Sequence, residues 1–111
     1  MAIKPKLLGQ QAPGAATETA LYDCPRGTIV GDIRLVICNT GAAPDTVRVS
    51  LSAAGAATTT KDYLYYDLAM AVATTFSSDA GVATEAGDII RVRSALGTCS
   101  FSLFGDETYP I

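Results

Sequence analysis

The sequence predicts an all-β protein, an antiparallel β-sandwich or jelly roll of about seven or eight strands with an extended N-terminal arm. Apolar and polar residues alternate with a period of two along most of the chain, which is typical of strands with one buried face. Turn signals rich in Gly, Pro and Asp separate these runs at short spacing. Eight Asp against three Glu favour the same class, because Asp side chains bond to turn backbone whereas Glu prefers helices.

Residues 1–17 are predicted to form the extended arm, and residues 18–111 the β-sandwich domain. Two prolines and two glycines in this first segment are expected to interrupt any regular element. The arm is expected either to fray, as many termini do, or to order against a partner subunit through apolar anchors. Removing it is expected to leave the fold intact. The candidate contact residues are Ile3, Leu7 and Leu8.

The first strands follow the arm. A short strand is predicted around "TALYD" and a turn at "CPRGT". The clearest alternation covers residues 29–38, and the turn "NTGAAPD" precedes a returning strand. The residues expected to face inward on these two strands are Ile29, Gly31, Ile33, Leu35, Ile37, Val47, Val49 and Leu51.

The middle of the chain is less regular. A loop of small residues, "SAAGAATTTKD", leads into "YLYYD", whose composition favours a strand. Alternation places Tyr63 and Tyr65 on one face, and Leu64 and Tyr66 on the other. The next stretch, "LAMAVATTF", fits a helix or a strand, and its Thr, Val and Phe content favours a strand. Tyr63 and Tyr65 are candidate partner contacts; an aromatic platform for sugars is the alternative.

The last third alternates regularly again. "EAGD" is predicted to be a turn, "IIRVRSA" a strand, "LGT" a tight turn and "CSFSLFGDE" the final strand. Ile90 and Val92 are expected on one face of the first of these strands, opposite Arg91 and Arg93. Phe101 and Leu103 are expected to face away from Ser102 and Phe104 on the final strand.

The composition argues against an enzyme and against a cofactor. The chain has no His, which hydrolase triads and most Cys nucleophiles use as their base. Its Asp residues are too scattered for a calcium loop, and it has no phosphate-binding glycine motif. The widely spaced cysteines, Cys24, Cys38 and Cys99, favour free thiols and a reducing cytoplasm, with one disulfide as the alternative.

The charge balance bears on possible partners. The net charge of −3 gives no basic footprint for nucleic acid, and no apolar run approaches the ~20 residues of a membrane-spanning helix. Only 17% of residues are charged, against about 25% in an average domain. This favours a chain that buries much of its surface against neighbouring subunits, or an ordinary soluble domain with short side chains.

These strands and turns resemble a family of small virion structural proteins of tailed bacteriophages. The resemblance covers about residues 18–107 and consists of strands and turns without a single diagnostic motif. It is carried by Leu21–Tyr22, Pro25 to Gly27, Cys38–Asn39, Val47 to Val49, Ala54–Gly55, Tyr63 to Tyr66, Gly87–Asp88 and Phe101 to Glu107.

Members of this family are head cement or decoration proteins, or tail and fibre components. The resemblance implies a virion protein assembled in the host cytoplasm. The short chain favours a cement protein that bridges capsid subunits, with a tail or tail-fibre component that contacts the host surface as the alternative. The implied partners are the major capsid protein and copies of the chain itself, in a dimer or trimer.

Overall fold

The computed structural model describes the backbone of residues 2–109 and the side chains of residues 3–78 and 84–108. Within this range it contains eight strands and two single-turn 3-10 helices, Ala53–Gly55 and Thr60–Asp62. The strands are β1 (Ala2–Gln11), β2 (Thr19–Asp23), β3 (Ile29–Asn39), β4 (Asp45–Ser52), β5 (Tyr63–Met70), β6 (Thr75–Glu85), β7 (Ile89–Ser94) and β8 (Cys99–Tyr109).

The strands form two four-stranded antiparallel sheets. The first sheet has the order β1-β8-β3-β6, and the second has the order β2-β7-β4-β5. Two packed sheets with this strand order make a jelly roll, so the predicted fold class is confirmed. The segment that fitted either a helix or a strand contains the end of β5, a turn at residues 71–74 and the start of β6.

The core lies between the inner faces of the two sheets. From the first sheet, Ile37, Phe101 and Leu103 point inward and are almost completely buried. From the second sheet, Val49 and Val92 meet them with equally little exposure. Burying each large apolar side chain contributes about 1.5–3 kcal/mol to folding. The predicted division of β7 and β8 into two faces is confirmed, and the faces with Ile90 and Val92 and with Phe101 and Leu103 are the buried ones.

The start of β3 departs from simple alternation. The pairing of β3 with β8 shifts register between Gly31 and Arg34, and Asp32 in this bulge has a positive φ of 53°. Such a bulge reverses which face the preceding residues occupy. Ile29, expected to face inward, is therefore 41% exposed, whereas Val30 is buried.

The N-terminal segment is a strand of the first sheet. β1 pairs with β8 from Ala2 to Gln11, so the expectation that prolines and glycines interrupt residues 2–11 is wrong. Because β1 is an edge strand, Pro5 can be accommodated where its missing N–H has no ladder partner. The Lys6 Nζ lies 3.2 Å from Glu107, which also accepts a 2.8 Å hydrogen bond from the Tyr22 hydroxyl. Removing β1 would uncover both β8 and the buried Glu107 carboxylate.

A polar network closes one end of the sandwich around the buried carboxylate of Asp45. One oxygen accepts hydrogen bonds from the backbone N–H groups of Thr46 (2.7 Å) and Leu96 (3.0 Å). The other oxygen accepts a hydrogen bond from the buried Ser94 hydroxyl. Although burial acts in the opposite direction, these hydrogen bonds hold the pKa of Asp45 below its ordinary value.

Asp45→Asn is expected to destabilise the protein at neutral pH by about 1–3 kcal/mol, because an amide cannot satisfy all of these donors. A lowered carboxylate pKa stabilises the fold above the unfolded pKa of about 4, and this contribution is lost as the pH falls through the folded value. Urea unfolding from about pH 7 to pH 3 should therefore show the difference between wild type and variant shrinking in acid. Asp23→Asn, at an exposed position of β2, is the control. A difference that is constant over this range would contradict the role of Asp45.

Candidate interaction surfaces

The structure separates the five residues that the sequence singled out. Ile3 and Leu7 are exposed on β1, but Leu8 is half-buried and packs against the core. On β5, Tyr63 lies on the outer face of the second sheet, whereas Tyr65 packs against the core. The predicted contact residues therefore belong to two different surfaces and to the interior.

The first surface is an apolar patch on the outer face of the first sheet, called here the edge patch. It consists of Ile3, Leu7, Ile29 and Phe104, which are 68%, 44%, 41% and 38% exposed. Ile3 and Ile29 both pair with Thr108, and Leu7 pairs with Phe104, so the four side chains share one face of β1, β8 and β3. Thr108 lies between Ile3 and Ile29, and Asp106 separates these two from Leu7 and Phe104 along β8. Exposed apolar side chains grouped on one sheet face are typical of surfaces that bind other molecules.

Strand alternation places Leu8 on the face opposite Leu7, so Leu8 is not part of this patch. The pairing with β8 shifts between Leu7 and Gly9, and Leu8 turns towards the core. Gly9 is needed here, because a Cβ at this position would clash with the Leu21 carbonyl oxygen. Leu8 therefore holds β1 against the sandwich, and Ile3 and Leu7 remain available to a partner.

The second surface lies on the outer face of the second sheet. The rings of Tyr63 and Tyr66 meet edge to face with centroids 4.9 Å apart, so these two residues share a face. The prediction that Tyr63 and Tyr65 share a face is wrong, because the strand pairing of β4 with β5 shifts twice near Val49. Local alternation along "YLYYD" therefore groups Tyr63 with Tyr65, whereas in the structure Tyr63 shares its face with Tyr66.

Arg48 organises this second surface. Its guanidinium lies 4.2 Å from the centroid of the Tyr66 ring and binds Asp67 through Nε at 2.8 Å and Nη2 at 3.4 Å. The hydrogen bond from Arg48, with a smaller contribution from Arg93, holds the pKa of Asp67 below its usual range. The ion pair fixes the Arg48 side chain across the face of the tyrosine.

Two further arginines project from β7 on the same side. Arg91 Nη1 donates hydrogen bonds to Ser52 Oγ (3.1 Å) and the Ala56 carbonyl (2.9 Å), and so anchors the loop after β4. Arg93 stands directly opposite Arg48 in the β4–β7 ladder and has no ion-pair partner among the side chains that the structure describes. The arginine–tyrosine patch is defined here as Arg48, Tyr63, Tyr66, Asp67 and Arg93.

Tyr65 closes the side of the sandwich where β5 and β6 diverge. Its hydroxyl bonds to Ser78 on β6, and its ring meets Phe76 edge to face at 5.5 Å. Behind it lies an apolar cavity of 270 Å³, slightly smaller than the ~300–1,000 Å³ of most ligand pockets. The cavity is lined by Ile33, Leu35, Val49, Leu64, Tyr65, Ser78, Ile90 and Leu103.

The described part of the chain offers little chemistry beyond these surfaces. It contains no group of three or more acidic, Cys or His side chains placed to hold a metal ion. Cys24, Cys38 and Cys99 are free thiols. Burial, assisted by the nearby Asp45, raises the pKa of Cys99 to about 11, which makes it a poor nucleophile at neutral pH. No helix of the described residues is long and apolar enough to cross a membrane.

Comparisons of the chain with protein-family models, with curated proteins and with solved structures give no match in any of the three.

Replacing Tyr65 by Phe is expected to lower the free energy of unfolding by about 0.5–1.5 kcal/mol, because the hydroxyl that bonds Ser78 across the open side is lost. The matched change Tyr63→Phe, on the outer face, should alter stability by less than about 0.5 kcal/mol. Urea denaturation of the two variants measures both values. Equal losses for the two changes would contradict the inward placement of Tyr65.

Proposed function

We propose that the protein is a non-enzymatic structural protein of the virion of a tailed bacteriophage. Its proposed place is the capsid, where it acts as a cement or decoration protein that stabilises the head by bridging neighbouring capsid subunits. The observation that carries this proposal is the edge patch, an exposed apolar surface on a rigid jelly roll. Viral capsid domains are among the proteins that use this fold, although a fold by itself does not specify a function.

The edge patch suits a protein whose attachment depends on the apolar area that it buries against its partner. Its four apolar side chains lie on three adjacent, hydrogen-bonded strands, so little conformational entropy is lost when a partner covers them. Apolar contact contributes roughly 25 cal/mol per Å², of which association costs offset a large part. Repetition of the same contact over a capsid lattice turns a modest individual affinity into firm attachment.

The proposed partners follow from this arrangement. The edge patch would face the major capsid protein, and copies of the chain would meet around a symmetric joint of the lattice as dimers or trimers. Nucleic acid and membrane are not among the proposed partners. The lack of His in the sequence and the burial of the Cys99 thiol support a role without catalysis.

Purified protein added to phage heads that lack it is expected to raise the temperature at which the heads break open. The double variant Ile3→Ser/Leu7→Ser should bind the heads at least about tenfold more weakly, because the loss of two apolar contacts exceeds roughly 1.4 kcal/mol. Point changes are used instead of removing residues 1–17, since β1 belongs to the sheet. Quantitative gel analysis of sedimented heads measures the binding.

Leu96→Ser provides the matched control. Leu96 is 51% exposed but lies in the turn between β7 and β8, at the opposite end of β8 from Thr108 and Ile3. This variant should bind heads as wild type does. Heads that gain no heat resistance from the wild-type protein would contradict the cement role. Binding to purified tails instead of heads would favour the alternative, a tail or tail-fibre component that contacts the host surface.

A further inference from the structure

The arginine–tyrosine patch concentrates positive charge on one face of a chain whose net charge is −3. Arg48 on β4 and Arg93 on β7 are direct cross-strand partners. Like charges in this position destabilise a sheet unless an anion lies near them. Asp67 supplies one carboxylate, which is bound to Arg48 through two nitrogens. The patch as a whole therefore keeps a net positive charge.

The parts of this patch are arranged before any partner arrives. Asp67 and the Tyr66 ring hold Arg48 in place, and Tyr63 packs against the edge of Tyr66. Tyr66 is nevertheless 59% exposed, and Arg93 has no ion-pair partner among the described side chains. Tyrosine and arginine are the residues most enriched in the energetic centres of protein interfaces.

We propose that the arginine–tyrosine patch binds an acidic segment of a partner protein. Arg93 donates hydrogen bonds to one carboxylate of this segment, and the Tyr66 ring packs against the segment. The planar guanidinium of Arg93 can donate two parallel hydrogen bonds to one carboxylate, a geometry that Lys cannot reproduce. The inference rests on the proposed function, since it describes a second contact of the same structural protein. It lies on the sheet opposite the edge patch, so both surfaces can be occupied at once.

A protein carboxylate fits this patch better than a nucleic acid does. Nucleic-acid surfaces track a phosphate backbone with several free Lys or Arg side chains. Here Arg48 is already paired with Asp67, and Arg91 is committed to the loop after β4. One guanidinium without an ion-pair partner among the described side chains, on the same sheet face as an exposed aromatic ring, matches a single acidic side chain on a protein.

Binding of a hexaglutamate peptide tests the proposal without any phage particle. Chemical-shift titration at low salt is expected to show weak, saturable binding centred on β4, β5 and β7, and added salt should weaken it. Arg93→Gln should lower the affinity at least fivefold, and Arg93→Lys should recover only part of it. Arg26→Gln removes the same charge from the exposed turn after β2 and should leave the affinity within twofold of wild type.

Three results would overturn the proposal. These are unchanged peptide binding by Arg93→Gln, an equal loss in Arg26→Gln, and tighter binding of a single-stranded DNA oligonucleotide than of the peptide. Thermal unfolding confirms that each variant is folded before its binding is interpreted.

The same variants on phage heads separate this inference from the proposed function. If wild type stabilises the heads and Arg93→Gln binds or stabilises them less well, both stand. If wild type stabilises the heads and Arg93→Gln matches it fully, the patch does not contact an acidic partner there and the inference fails alone. If wild type does not bind heads, the cement role fails, whatever the peptide titration shows.

Discussion

The contact between the inner faces of the two sheets is the constraint on which the rest of the structure depends. Phe101 and Ile37 on one sheet and Val49 and Val92 on the other leave almost no accessible surface between them. Because the inner faces are used for this packing, only the outer faces, the strand edges and the loops remain for recognition. The outer side chains are presented on paired strands, whose backbone has little freedom to lose on binding.

Bulges decide which side chains reach those outer faces. The bulge near Asp32 brings Ile29 to the outer face of the first sheet, where regular alternation of β1 already places Ile3 and Leu7. On the other sheet, the irregular pairing of β5 places Tyr66 beside Arg48. Part of each candidate surface, Ile29 on one sheet and Tyr66 on the other, therefore depends on an interruption of strand alternation, a common position for functional residues in sheets.

The regular part of this fold could be predicted from the sequence, and the bulged part could not. Phe101 and Leu103 alternate without interruption, so their inward placement follows from the period of two. The sequence does not predict β1 as a strand, because the edge position that lets a strand tolerate Pro5 is a property of the sheet and not of the segment. The opposition of Arg48 and Arg93 depends on the order of strands in the sheet, and no local sequence signal reports that order.

The central claim is that this chain works as a passive structural unit of a capsid. A cryo-electron microscopy reconstruction of the intact virion tests it most directly. The account predicts a density of the size of this jelly roll, 45 × 26 × 20 Å, at joints between capsid subunits, with the outer face of β1, β8 and β3 against the shell. A density of this shape in the tail or its fibres, or its absence from the particle, would contradict the claim.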